Sequence, residues 1–170
     1  MEWLRDLFFY FLVYSFLGWV IEGLFNLFTK GSFIKPNFLF LPLKPMYGFA
    51  ATWLIVLKNS FPLGLFLIAA FIIPSFIEYL TAYILSHFFD LSYWDYSHCP
   101  YQLSGYICLR FSIYWFFLSL VLIYLLQPYL STLYTLFTPI WSSIFPISLL
   151  LVIIDFLFTL KQHPLVFMRS

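Results

Sequence analysis

The chain has 170 residues, 64% of them hydrophobic and 9% charged, and a formal net charge of +1, against roughly 45–50% apolar and 25% charged in an ordinary soluble domain. A soluble chain of this length could not hide so many Phe, Leu and Ile side chains, whereas lipid accepts them without cost. The near-neutral charge excludes the basic stripe that a nucleic-acid binder uses to neutralise phosphates. Cys99 and Cys108, the only cysteines, are too few for a disulfide scaffold. They also lack the paired spacing of a zinc site.

The first apolar run is not a signal peptide by pattern, because Glu2 and Asp6 stand where a cationic segment belongs and no small-residue cleavage site follows. Residues 7–28 are long enough to cross a hydrocarbon core of about 30 Å and are expected to be a first span. From Thr29 to Pro45, three lysines (Lys30, Lys35, Lys44) alternate with Pro36, Pro42 and Pro45. That proline density predicts a basic loop, extended or re-entrant. A short second span is expected at 43–57, reaching across only if it borrows loop residues or the bilayer thins. Ser60 is expected to cap a third span at 62–85, with Pro62 in its first turn. A polar, aromatic loop follows to Ser104. A fourth span at 106–126 is expected to stop at Gln127-Pro128. Between Tyr129 and Ser143, Leu130, Leu133, Leu136, Phe137, Ile140 and Trp141 recur at helical spacing opposite Ser and Thr, as in an interfacial helix. A fifth span is expected at 144–160. The chain therefore reads as one all-α transmembrane domain, residues 1–170, of about five spans. Lys30, Lys35, Lys44, Arg110, Lys161 and Arg169 would collect on one side and only Arg5 and Lys58 on the other. The positive-inside rule then puts the first and third loops and the C-terminus inside.

Charge within a span costs of order 2.5–3.5 kcal/mol per group, so each carboxylate there needs a reason. Glu22, Glu78 and Asp155 all fall roughly 8–10 Å from the inner ends of their spans. Glu22 lies on a polar stripe with Ser15, Gly18, Asn26 and Thr29, and Glu78 with Ser75 and Thr81. These features predict one polar cavity near the inner face, lined by carboxylates, with Asp95 contributed by the third loop and Arg110 as the cationic partner. A structural alternative has Glu22 and Glu78 holding helices together through hydrogen bonds. Asp155 invites a plainer reading, since Lys161 is nearby and the residue could snorkel to the interface. Tyr93, Trp94, Tyr96 and Tyr101 also fit an aromatic belt. His98 adjoins Cys99, but no second pair stands at ligand spacing, so neither metal nor cofactor is expected. Phosphate-cradling, His-Glu-x-x-His and Gly-x-Ser-x-Gly motifs are all missing from the sequence, so the chain is expected to be no enzyme and to hold no ATP of its own.

Gly18-Trp19-x-x-Glu22, Pro45-Met46-Tyr47-Gly48, Glu78-Tyr79-x-Thr81 and Trp94-Asp95-Tyr96-Ser97, followed by Gly105 and Leu109, together resemble the bacterial CmpB family, grouped with the vertebrate transmembrane protein 229 proteins. The resemblance covers roughly residues 8–126. That family carries the label of an ABC-transporter permease. The resemblance implies a small multi-pass membrane protein; five spans are few for a complete transporter and no nucleotide motif is present, so a cell-membrane location with a separate nucleotide-binding subunit or a homo-oligomer as partner is expected. By position it implicates Glu22, Tyr47, Gly48, Glu78, Trp94, Asp95, Tyr96, Ser97 and Gly105 in substrate binding. The chain departs from the family pattern where an aromatic-Asn-x-Asn-Gly-Arg stretch is replaced by Tyr101-Gln102-Leu103-Ser104-Gly105-Tyr106, and Arg110 is the candidate to supply the missing charge. The expected function is a transporter's permease-like subunit; the alternatives are an assembly protein that binds a lipid head group or partner subunit and, least favoured, a lipid-modifying enzyme using these carboxylates.

Overall fold

The computed structural model describes residues 2–163. Its helices are α1 (Glu2–Lys30), α2 (Pro45–Ser60), α3 (Leu63–Phe89), α4 (Leu109–Val121) and α5 (Gln127–Gln162). A two-stranded hairpin, β1 (Gln102–Leu103) and β2 (Ile107–Cys108), precedes α4, with Gln102 opposite Cys108 and Leu103 opposite Ile107. The sequence pattern predicts only a loop over this stretch. Among the described residues, three helical stretches are long and apolar enough to cross a membrane: Glu2–Lys30, Leu63–Phe89 and Leu109–Gln162.

Burial is inverted relative to a soluble bundle. Phe28 and Leu136 are 85% and 71% exposed, while Ser15, Ser112 and Ser119 are buried, as are Gly18 and Gly48. Where lipid is as apolar as leucine, helices associate through close approach of small residues rather than by hiding hydrophobes. Many of the buried hydrophobic side chains gather in two clusters. Tyr10, Tyr14, Ala51, Tyr134 and Trp141 join α1, α2 and α5, while Leu54, Phe66, Ala70 and Ile123 join α2 and α3 to the turn after α4.

Helix α2 starts halfway along α1. The Lys44 amide donates to the Ser15 carbonyl at 2.9 Å, and Gly48 lies against Ser15 and Phe11. Its 16 residues rise only about 24 Å. The intervening segment, Gly31 to Lys44, forms no regular element and is held by side chains instead. Asn37 donates to the carbonyls of Leu39, Leu41 and Leu43, and Asn26 to those of Ser32 and Ile34.

Several expected boundaries move. The helix does not stop at Gln127-Pro128, nor does a separate interfacial helix begin there, because Leu122–Leu126 widens into a π turn in which the Gln127 amide reaches the Leu122 carbonyl. A widened turn absorbs the donor that Pro128 lacks, and Leu109–Gln162 runs on as 54 helical residues. Ser60 does not cap α3. It ends α2, and its hydroxyl donates back to the Val56 carbonyl at 3.3 Å, leaving extended Pro62 as the residue before α3.

Helix α5 is not straight. Its partners on α1 run first toward the N-terminus: Gln127 accepts from the Tyr14 hydroxyl at 2.7 Å, Tyr134 donates to Asp6, and the Trp141 indole donates to the Arg5 carbonyl at 3.1 Å. They then run back: Phe145 packs edge-on to Phe8, and Ser148, Leu151 and Val152 face Leu12, Val13, Phe16 and Leu17 across an apolar groove of about 440 Å³. A straight helix passes its neighbour in one direction only. The reversal therefore places a bend between Pro139 and Pro146, where two missing N–H donors weaken the helix.

The returning arm carries Asp155, which is 7% exposed and neither snorkels nor pairs with Lys161. Its two oxygens accept the Phe40 and Leu41 amides, each at 3.0 Å, so it pins the first loop. Asp155→Leu is expected to strand both amides, lower stability by about 1–3 kcal/mol and speed hydrogen exchange over residues 31–44. Asp155→Asn, which keeps one of the two acceptor oxygens, should leave one amide stranded and give intermediate protection.

Candidate functional site

The first loop folds back on α1 and brings two lysines to one carboxylate. Lys35 Nζ is 2.6 Å and Lys44 Nζ 3.1 Å from Glu22 Oε2. The Lys44 and Glu22 side chains are 8% and 12% exposed, and that of Lys35 is 25% exposed. A carboxylate shared by two ammonium groups offsets part of the cost of leaving water and leaves this ion group with one net positive charge. The partner expected for a carboxylate, Arg110, is elsewhere. It is exposed, and its guanidinium donates to the Tyr114 hydroxyl on its own helix at 3.1 Å.

Glu78, 2% exposed, lies on α3. Its two oxygens accept from the Tyr96 hydroxyl at 3.0 Å and the Trp115 indole at 2.7 Å, both neutral donors. Tyr47 packs beside them: its ring fills the space over Gly18 and meets the Trp115 ring edge-on at 5.4 Å. The next residue, Gly48, lets α2 touch α1, since a Cβ there would come within 2.6 Å of the Phe11 carbonyl oxygen.

The aromatic loop places Tyr96. Asp95 is exposed and turned toward its own loop, accepting the Ser97 amide at 2.8 Å and the Ser97 hydroxyl at 2.9 Å. Gly105 adopts φ +70°, accepts from the Tyr96 amide at 2.9 Å and receives Gln102 Oε1 on its own amide at 2.6 Å. The Trp94 indole donates to the Tyr106 carbonyl at 3.0 Å, and the Tyr96 ring stacks on Phe111 at 4.7 Å. Burial, reinforced by the Glu78 carboxylate, holds the Tyr96 phenol above its usual range. The hydroxyl therefore stays a donor.

Hydrogen bonds from Ser97 hold the Asp95 carboxyl below the usual aspartate range. A carboxyl depressed on folding adds stability above its unfolded value and gives it up as pH falls through the folded one. The Ser97 amide is accordingly expected to stay protected from exchange at neutral and mildly acidic pH. It should lose protection only below the ordinary aspartate range, and Asp95→Ala should remove the protection at every pH.

The residues read from the sequence thus divide. Tyr47 and Gly48 sit where α2 packs on α1, Glu22 takes the lysines of the first loop and Glu78 takes Tyr96 and Trp115, whereas Trp94, Asp95, Ser97 and Gly105 shape the loop that delivers Tyr96, and Arg110 stands apart. Pattern reasoning missed the roles of Lys35, Lys44 and Trp115. Lys44 directly precedes Pro45-Met46-Tyr47-Gly48, which was a usable signal. Trp115 is one aromatic among many in an apolar helix and carried none.

Next to the ion group lies a cavity of about 360 Å³ between the first loop, the start of α2, the end of α3 and the aromatic loop. Its walls include Lys44, Thr81, Tyr93 and Trp94, and Glu22 and Glu78 are not among them. A family model described as "putative ABC-transporter type IV", the CmpB model, matches residues 9–160. No curated protein and no solved structure matches the chain.

Proposed function

The chain belongs to this CmpB-type ABC-transporter family, and from that premise we propose that it is the permease-like membrane subunit of a transporter, paired with a separate nucleotide-binding subunit or with further copies of itself. The observation that carries the reading is the buried Glu22–Lys35–Lys44 group, set where an irregular loop folds onto the middle of α1. Irregular backbone at membrane depth is tolerated where protein or a water-filled cavity surrounds it, and buried ionisable groups mark substrate paths. A polar or cationic substrate would compete for Glu22 with Lys35, the more exposed of its two partners.

In this reading the bend in α5 makes two arms of it. The chain then crosses the cell membrane about five times, with the N-terminus outside and the first and aromatic loops inside. Arg169, part of the charge count behind that orientation, lies outside the described residues. No reaction is assigned to the chain, and ATP hydrolysis falls to the partner.

The test is co-purification followed by flux in liposomes. Recovery of a nucleotide-binding subunit, with ATP-dependent uptake that Glu22→Gln and Glu78→Gln reduce at least tenfold, is the expected result. One stoichiometric partner without ATPase activity and without flux would favour the assembly reading instead. That reading draws on one observation: each carboxylate of the site already has internal partners.

A further inference from the structure

We infer that the cavity beside Lys44 binds an anionic amphiphile, an acyl chain bearing a carboxylate or phosphate, with the head group on the Lys44 ammonium. Its volume of about 360 Å³ lies within the range of about 300–1,000 Å³ of small-molecule sites. Phe38, Leu85, Phe89 and Phe156 supply apolar walls, and Lys44 is the charged residue among the lining. Apolar contact alone selects nothing here, since a chain leaving lipid or detergent for this cavity trades one hydrocarbon setting for another. Selection must come from the head group.

Lys44 is suited to provide it. Its ammonium has three donors, and its recorded partners are Glu22 at 3.1 Å and the Pro36 carbonyl at a long 3.5 Å. Glu22 is held more closely by Lys35, at 2.6 Å, so the ion group has one positive charge in excess. The ammonium stands 5.8 Å from the centre of the Tyr93 ring, and Tyr93 is itself a wall of the cavity. An anion at that point meets a cation in a low-dielectric setting, a neutral head gains only a hydrogen bond, and an amine is repelled.

The experiment compares head groups on one chain length, in neutral-detergent micelles, by native mass spectrometry and by competition with a labelled fatty acid. Palmitate is expected to bind one equivalent, about tenfold or more tighter than hexadecanol, the worth of one charge-assisted hydrogen bond, with hexadecylamine weakest. Lys44→Met should abolish the preference for palmitate. Because that variant also disturbs Glu22, Thr81→Phe provides a second arm: it fills the cavity without changing charge and should weaken palmitate binding. Equal affinity for the three head groups, or palmitate binding unchanged in both variants, would overturn the inference. Displacement of palmitate by phosphatidylglycerol but not phosphatidylcholine would identify a membrane lipid as the source of the anion; failure of both to displace it would identify a free fatty acid. No flux is measured, so the outcome is independent of the permease reading.

Discussion

Replacing Glu22 with leucine is expected to lower stability by about 3 kcal/mol, the low end of the range for breaking a buried ion pair, because Lys35 is exposed enough to recover some hydration. The loss comes less from the missing attraction than from what remains: two ammonium groups, one nearly fully buried, with no anion between them. Glu22→Gln, which keeps an acceptor, should cost less. Adding Lys35→Met to Glu22→Leu should recover part of the loss, and the double-mutant cycle isolates the coupling between the pair. The measurement is the denaturation midpoint in mixed micelles, read together with proteolysis of the first loop, since Glu22 is one of that loop's anchors. Unchanged stability in Glu22→Leu would mean that the ion group does not form.

Gly48→Val carries the second large effect, about 2–3 kcal/mol of overpacking. A Cβ at residue 48 would stand 2.3 Å from the Ser15 hydroxyl and 2.6 Å from both the Phe11 ring and the Phe11 carbonyl oxygen. A hydroxyl can rotate and a ring can tilt, but a carbonyl within α1 cannot leave without unmaking a turn of helix. The helices must therefore part, which would carry Tyr47 away from Gly18 and disturb its contact with Trp115. Gly64→Ala is the control: nothing lies within 4 Å of the added carbon, and stability should hold or rise slightly. If the two variants melt alike, α1 and α2 are not in the close contact described. An increased distance between spin labels on the lipid-facing sides of α1 and α2 would report the separation directly.

How the site was legible, and where it was not, follows from the same contacts. Glu22 and Glu78 stand out because a carboxylate in an apolar run has so few physical excuses, and in the structure each has its own internal partners. Asp95 drew attention for a similar reason, a charge in an aromatic loop, but it serves its own turn. A charge at a loop position costs little, so its presence there says little. By position along the chain the cationic partner would be Arg110, the basic residue nearest the start of a span, whereas Lys35 and Lys44 fill the role from the proline-rich first loop. Linear position along a span ranks partners poorly once a loop can fold back to mid-helix.

The end of α4 teaches a related point. Gln127-Pro128 reads as a stop because proline lacks a donor and crowds the preceding turn. Yet a π turn of five residues accommodates both effects, and the change of direction falls instead between Pro139 and Pro146, where Trp141 and Phe145 pack against Arg5 and Phe8. Each proline is a possible bend. Which one is used depends on what the two arms can touch.

Composition by itself determined the membrane setting and the helical class, because both follow from a solvent that offers the backbone no hydrogen bonds and the side chains no penalty for being apolar. Local chemistry likewise determined that the first loop would be irregular and that buried carboxylates would need partners. Only the tertiary structure decided which partners those are. A hydrogen bond is satisfied by whatever donor arrives within about 3 Å, and neither the folding of Lys35 and Lys44 back to Glu22 nor the meeting of Tyr96 and Trp115 at Glu78 is encoded in any spacing along the chain.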